Sequence, residues 1–252
     1  MEKNNSEFGK ELLDNMSTSI LPIVSDSGSK MEMIGSSILL STGQKSYIVT
    51  AAHVLGDSGH TKLHLLTEEK SIRIRCSLFH FDNQLDIAFS ELNDELITFL
   101  KKTGKNCFPI DIEEPNDFDK KCLCAFGYPS SKCHYDSVRK KFEICLMEYF
   151  GEEVTQNIKF DKSDSLFDKH LLINFDKRRT KKPEKECKGY RPAPNPYGLS
   201  GGGLFKVYIY KDHQLFLLKG ILIEWHKKDI KVIKALKTDA LKEVISNFQF
   251  TG

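Results

Sequence analysis

Three side chains in this sequence have types and settings suited to nucleophilic chemistry. Ser200 stands in NPYGLSGGGLFKV (195–207), where Gly198, Gly201, Gly202 and Gly203 place four glycines within six positions. Glycine inside a helix or strand costs about 0.5–1 kcal/mol relative to alanine, so the stretch marks a sharp turn. A serine hydroxyl is a weak nucleophile until a base takes its proton as it attacks. The attacked carbonyl then becomes an oxyanion, which backbone N–H groups stabilise if the chain bends enough to aim two of them at one point. Glycines around Ser200 give that freedom and leave the approach open to another peptide chain. Taken alone, the motif fits a nucleophile and a plain turn between strands about equally well.

A base is available in YIVTAAHVL (47–55), where an apolar strand runs into Thr50, Ala51 and Ala52 before His53. Those small residues put the imidazole in a tight place at a strand end. In NQLDIAFSEL (83–92), Asp86 directly precedes a second apolar strand. A carboxylate there can hold an imidazole in one tautomer and stabilise its protonated form. A lone histidine after a strand is usually a packed histidine, and an aspartate before a strand is usually a turn residue. The three together, in the order His, Asp, Ser, are far less expected by accident.

Strands are what must position them. The runs 33–41 and 45–51 are apolar and β-branched, with a hairpin turn at Thr42-Gly43-Gln44; 62–67, 71–79 and 86–92 continue the series. In 71–75, Ile72 and Ile74 alternate with Arg73 and Arg75, the period of a strand with one buried face. Strands are also expected at 121–129, 140–151, 157–161, 170–176, 204–210, 214–225 and 230–236. Helices are expected at 6–16 (Phe8, Leu12, Leu13 and Met16 on one face), at 93–102, and at 237–250. The last has Thr238 or Asp239 as N-cap and Leu241, Val244, Ile245 and Phe248 on one face. Many short strands at close spacing, with helices mainly at the ends, predict an all-β protein of antiparallel barrels or a sandwich.

These motifs resemble those of the trypsin-like, chymotrypsin-fold serine peptidases, particularly their cytosolic bacterial branches. TAAHV matches the histidine motif, LDIAF the aspartate motif and GLSGGGLF the serine motif; KGILIEW looks like the strand beside the substrate, and FGYPSS (126–131) is suggestive. The matches spread over about residues 33–236. The resemblance implies two antiparallel six-stranded β-barrels, the first over 21–105 and the second over 106–236. A helical extension at 1–20 and a C-terminal helix at 237–252 flank them. It implies Ser200 as nucleophile, His53 as general base and then acid, Asp86 orienting His53, and an oxyanion hole from the N–H groups of Gly198 and Ser200. No metal or cofactor is needed, and the substrate is a peptide or protein.

Departures from the family pattern narrow the reading. No cysteine lies near His53 to bracket it with a disulfide, and Leu199 stands where the family's aspartate precedes the serine. No activation segment is recognisable, so control is expected from a binding partner or a movable 176–196 loop, and specificity is expected to be narrow. The position six before the serine is Pro194 rather than an acidic residue. The substrate pocket is therefore assigned to Tyr197, Pro196 and the strand Ile223-Glu224-Trp225. Glu224 is either a selector of basic side chains or an exposed strand carboxylate, and Trp225, the single tryptophan, is either core or cleft wall. A catalytically idle relative that binds peptides in its cleft is the competing reading. The α/β-hydrolase order Ser, Asp, His is absent, as is the strand–helix alternation of that fold.

Bulk properties agree with a globular protein. The net charge of +2 gives no argument for nucleic acid, and no apolar run reaches the ~18 residues that span a bilayer. MEKNNSEFGKELLDNM lacks a basic segment followed by an apolar core, and the seven scattered cysteines form no metal or disulfide pattern. The expectation is a cytoplasmic protein with reduced thiols. Residues 177–185 hold six Lys/Arg and 192–196 three prolines. An exposed loop is expected there, either merely solvated or a basic rim for an acidic partner.

Overall fold

A computed structural model describes residues 13–28, 30–56, 62–67, 71–118, 120–136, 141–154, 167–175, 195–210, 213–226 and 231–249. The strand expected at 157–161, the basic loop at 176–194, and Phe8 and Leu12 of the first helix lie outside these residues. The described part of that helix, α1, covers residues 13–17.

Two curled antiparallel sheets dominate. The first contains β1 (Ile20–Asp26), β2 (Met31–Ser41), β3 (Ser46–Ala51), β4 (Lys62–Leu66), β5 (Ser71–Ile74), β6 (His80–Asp82), β7 (Ile87–Glu91) and the two-residue β8 (Phe108–Pro109). Its order is β5-β4-β1-β2-β3-β7-β6, with β8 parallel to β2. The second contains β9 (Lys120–Gly127), β12 (Met147–Gly151), β13 (His170–Asn174), β14 (Gly203–Tyr210), β15 (His213–His226) and β16 (Val232–Lys237), in the order β12-β9-β14-β15-β16-β13. A bridge between Glu153 and Ile173 brings its two edges together and closes the curl. A separate hairpin pairs β10 (His134–Asp136) with β11 (Lys141–Glu143). The second sheet thus has the expected six strands, whereas the first has seven along its path plus β8.

Consecutive apolar residues in β1, β2 and β3 follow from having a core on each face. Leu21, Ile23, Leu39 and Ile48 fill the interior of the first sheet. Their neighbours Ile20, Val24, Ile38 and Val49 enter a shared core with Phe126, Phe205 and Ile221 of the second. A third cluster, including Tyr149, Phe175, Leu204 and Leu222, fills the second sheet. Adjacent residues on a strand point to opposite faces, so a run with both faces covered loses its polar alternation. Each fully buried Leu, Ile or Phe is worth about 1.5–3 kcal/mol, and this shared core fixes how the sheets sit against each other.

Two expected long strands break. The 71–79 strand stops at Ile74 and becomes a 3₁₀ turn at Cys76–Leu78 before β6. The 140–151 strand divides at residues 144–146 into β11 and β12, which serve different sheets. The alternation of Ile72 and Ile74, half-buried, with exposed Arg73 holds. The helix α3 (Asp94–Lys102) is capped by Asn93, whose side chain accepts from the Leu96 N–H at 2.9 Å. A short helix, α2 (Ala52–Gly56), follows β3, and α4 (Thr238–Gln249) follows β16. The Thr238 hydroxyl donates to the Leu218 carbonyl at 2.9 Å, tying α4 to β15. Leu241 and Ile245 of α4 are buried, while Phe248 is 40% exposed and stacks on His80 of the first sheet.

Candidate active site

His53 and Asp86 meet through local structure. β3 ends at Ala51, and α2 carries His53 on its open side while Val54 and Leu55 are buried beneath. A Cβ on Gly35 would meet Val54 Cγ1 at 2.5 Å, so glycine there lets α2 sit directly on β2. Asp86 ends the turn DNQLD (82–86). There the Asp82 carboxylate accepts from the Gln84 and Leu85 N–H groups, both at 3.0 Å, an Asx turn. Asp86 itself has φ of +52°, a left-handed conformation that aspartate tolerates better than most residues. That twist aims its carboxylate at α2. One oxygen accepts the His53 backbone N–H at 2.9 Å, and the other lies 2.7 Å from Nδ1. The Asp86 carbonyl also accepts from the Ala52 N–H at 3.1 Å. With Nδ1–H donated to Asp86, Nε2 is the nitrogen left to act as an acceptor.

Ser200 is held by contacts between the sheets. The turn 197–201 precedes β14, with Gly198 at φ +92° and Gly201 at φ +87°. A Cβ on Gly201 would lie 2.0 Å from the Ser36 carbonyl oxygen and 2.3 Å from Thr50 Oγ1, so the serine turn rests directly on β2 and β3 of the first sheet. The Ser36 N–H donates to the Ser200 carbonyl at 2.8 Å. Thr50, buried three residues before His53, donates its hydroxyl to the Ser36 carbonyl at 2.7 Å. Serine turn and histidine helix therefore share one seam. The Ser200 hydroxyl donates to the Ile223 carbonyl at 2.8 Å. Its single proton is thereby committed to β15.

Among the described residues, the N–H groups of Gly198 and Ser200 donate to no protein acceptor, whereas Leu199 N–H between them donates to the Pro196 carbonyl at 3.0 Å. Two free donors, the serine's own N–H and that of Gly198, are what an oxyanion would need. The residues assigned to a substrate pocket do not form one group. Tyr197, 54% exposed, meets Trp225 edge-on with ring centroids 5.7 Å apart, and Trp225 in turn packs on Phe175 at 5.9 Å. Trp225 thus packs on exposed Tyr197 on one side and on core Phe175 on the other. Ile223 is buried and contributes its carbonyl. Glu224 is exposed and pairs with His226 Nε2 at 3.2 Å, as a strand carboxylate does. Sequence reading missed Ser36, whose neighbours lie far off in the chain.

Other features lie apart from this seam. A cavity of about 940 Å³ at one end of the second sheet is lined by residues including Glu114, Lys206, Lys219 and Lys242, and by none of His53, Asp86 and Ser200. Hydrogen bonds from Lys206 and Tyr208 hold the Glu114 carboxyl down at about 2. The six described cysteines are free thiols. Burial pushes Cys124 well above the ordinary thiol range. Among the described residues no cluster of His, Cys, Asp or Glu could hold a metal ion, and no helix is long and apolar enough to cross a membrane.

No family model matches the sequence, and no curated protein does. Solved structures do match. The active form of the Rv3671c protease of M. tuberculosis is 13% identical with a TM-score of 0.51, covering 94% of this chain and 84% of that one. Its inactive form is 12% identical with a TM-score of 0.50, covering 96% and 94%. A serine endoprotease of Yersinia pestis is 15% identical with a TM-score of 0.56, covering 98% and 67%. At such identities the likeness speaks for the fold. Two curled sheets, their connectivity and these neighbours lead to one conclusion: the chain has the double-barrel fold of the chymotrypsin-like serine proteases.

Proposed function

We propose that the protein is a serine endopeptidase that cleaves peptide or protein substrates through Ser200, His53 and Asp86. The observation that carries this reading is the two-point hold of Asp86 on His53, through Nδ1 at 2.7 Å and the backbone N–H at 2.9 Å. A histidine fixed in this way presents Nε2 as a base. Ser200 turns from the Ile223 carbonyl toward that nitrogen, which takes the hydroxyl proton as Oγ attacks the scissile carbonyl. Gly198 and Ser200 N–H groups receive the oxyanion. His53 then gives the proton to the leaving amine, and water, activated by the same imidazole, releases the acyl group from Ser200. Pro196, Tyr197 and Trp225 border the side-chain pocket.

The commitment of the Ser200 proton to Ile223 favours a second reading, in which the cleft binds peptides without cleaving them. A fluorophosphonate probe separates the two. In labelling, the Ser200 Oγ–phosphorus bond forms, the phosphorus–fluorine bond breaks, fluoride leaves and His53 takes the proton. The expected outcome is labelling of the wild type and none of Ser200→Ala or His53→Ala. A folded wild type that resists labelling leaves the binding module standing and sinks the peptidase.

A further inference from the structure

Consecutive peptides of the serine turn are pinned alternately, and two of the pins, from Ser36 and Ser130, come from outside it. In a trans peptide the C=O and N–H point in opposite directions, so fixing a carbonyl fixes the N–H behind it. The Tyr197 carbonyl accepts from the Ser130 N–H at 2.7 Å, which turns the Gly198 N–H away from residue 130. The Leu199 carbonyl accepts from the Gly202 N–H at 2.8 Å, which sets the direction of the Ser200 N–H. The intervening peptide runs the other way. Its carbonyl, on Gly198, accepts from the Ser36 hydroxyl at 2.8 Å, and its N–H, on Leu199, donates to Pro196.

Every polar group of Ser36 is spent on this seam. Its hydroxyl donates to the Gly198 carbonyl and accepts from the Tyr128 N–H at 2.9 Å. Its N–H donates to the Ser200 carbonyl, and its carbonyl accepts from Thr50. The side chain is fully buried. One hydroxyl thus fastens the serine turn both to the end of β9 and to β2. The turn lies flat against 128–130: a Cβ on Gly198 would be 2.6 Å from the Tyr128 carbonyl oxygen and 2.9 Å from the Ser130 nitrogen.

We infer that Ser36 and the Ser130 N–H form a positioning brace that keeps the Gly198 and Ser200 N–H groups aimed at one point, and that this brace sets the rate of bond formation at Ser200. The inference rests on the reading of Ser200 as a nucleophile. A buried serine serving only stability would lower the folded fraction and leave the reaction of folded molecules alone. A brace on oxyanion donors acts on the transition state, where the charge develops.

The test uses the full chain and a fluorophosphonate probe, with the inactivation constant kinact and the half-saturating concentration KI measured separately. In Ser36→Ala, kinact is expected to fall about 10- to 100-fold, less than or equal to the loss on removing an oxyanion donor outright, with KI within about threefold of wild type. Ser130→Pro removes the other pin and sets its ring Cδ against the Tyr197 carbonyl in place of the N–H. Pro129 has φ −70° and ψ 131°, the extended conformation a following proline requires, and residue 130 opens a 3₁₀ turn where proline is accommodated. It is expected to lower kinact by a similar factor, and it keeps the inference testable if Ser36→Ala does not fold. Ser37→Ala is the control: Ser37 is equally buried, but its hydroxyl donates to the Leu21 carbonyl at 3.2 Å, within the first sheet. It is expected to lose stability without loss of kinact. If the wild type labels and both Ser36→Ala and Ser130→Pro label at its rate, the brace is overturned and the nucleophile stands. If the folded wild type does not label, both fall.

Discussion

The histidine side and the serine side of the seam are built differently. His53 and Asp86 are joined by one Asx turn, one left-handed residue and a five-residue helix, all within the first sheet. The serine turn has two local hydrogen bonds but leans on distant segments. It is shaped by Ser36 and Thr50 of the first sheet, by Ile223 of the second and by Ser130 of the 3₁₀ turn after β9. The His53–Asp86 pair is therefore preset by short-range geometry, while Ser200 and the N–H groups beside it depend on the sheets being docked. A site assembled in this way keeps its histidine half constant and leaves the serine half adjustable.

The largest effect should come from breaking the preset half. Asp86→Asn retains a residue that tolerates positive φ but cannot hold Nδ1–H in the same way, and labelling of Ser200 should drop by roughly ten-thousand-fold. Circular dichroism should show an unchanged fold; a fall of less than tenfold would mean that Asp86 does not orient the base. Next comes the assembled half. Gly201→Ala forces a Cβ into the Ser36 carbonyl at 2.0 Å and should cost about 3 kcal/mol or more in urea unfolding. Gly43→Ala, with a similar φ of +82° and nothing within 4 Å, should cost only about 1–2 kcal/mol. Equal costs would show that strain, not docking, governs the serine turn.

Smaller effects sharpen the comparison. Tyr197→Ala removes an exposed ring and should cost about 1 kcal/mol, while changing which peptide side chains the cleft accepts. A peptide library cleaved with the same preferences would remove Tyr197 from the pocket. Trp225, as the single tryptophan, should report occupancy of the cleft by a shift in its emission, and that shift should be lost in Tyr197→Ala. Thiol labelling reports on docking with the least perturbation. Exposed Cys145 should react at once, and Cys124, buried with its ionisation suppressed, only on unfolding. Early reaction of Cys124 would mean that the second sheet opens far more readily than its packing implies.

Much of this was legible in the sequence, and the reasons are local. His53 and Asp86 announce themselves because each sits where an apolar run ends or begins, and Ser200 because its glycines are conspicuous. The apolar runs of β2 and β3 gave strands correctly despite lacking alternation, whereas β1 (Ile20–Asp26) was not expected from the sequence. What was hidden depends on distant partners. Ser36 reads as an ordinary serine in MIGSSILLS; its importance comes from Gly198 and Tyr128, 162 and 92 positions away. The divisions of 71–79 and 140–151 were equally invisible, since each half has strand-like residues and only sheet topology decides where the chain leaves. The direction of the Ser200 hydroxyl, toward Ile223, has no local signature at all.

The long separation between Ser36 and Gly198 also gives the molecule a clock. During synthesis the strand bearing Ser36 and the helix bearing His53 leave the ribosome well before the serine turn exists. When that turn emerges, its bonds to Ser36 and Ser130 can form only as β14 joins β9 and settles on the first sheet. The short-range contacts of His53 and Asp86 can thus precede the placing of Ser200, and the full arrangement arrives last, together with the completed tertiary structure.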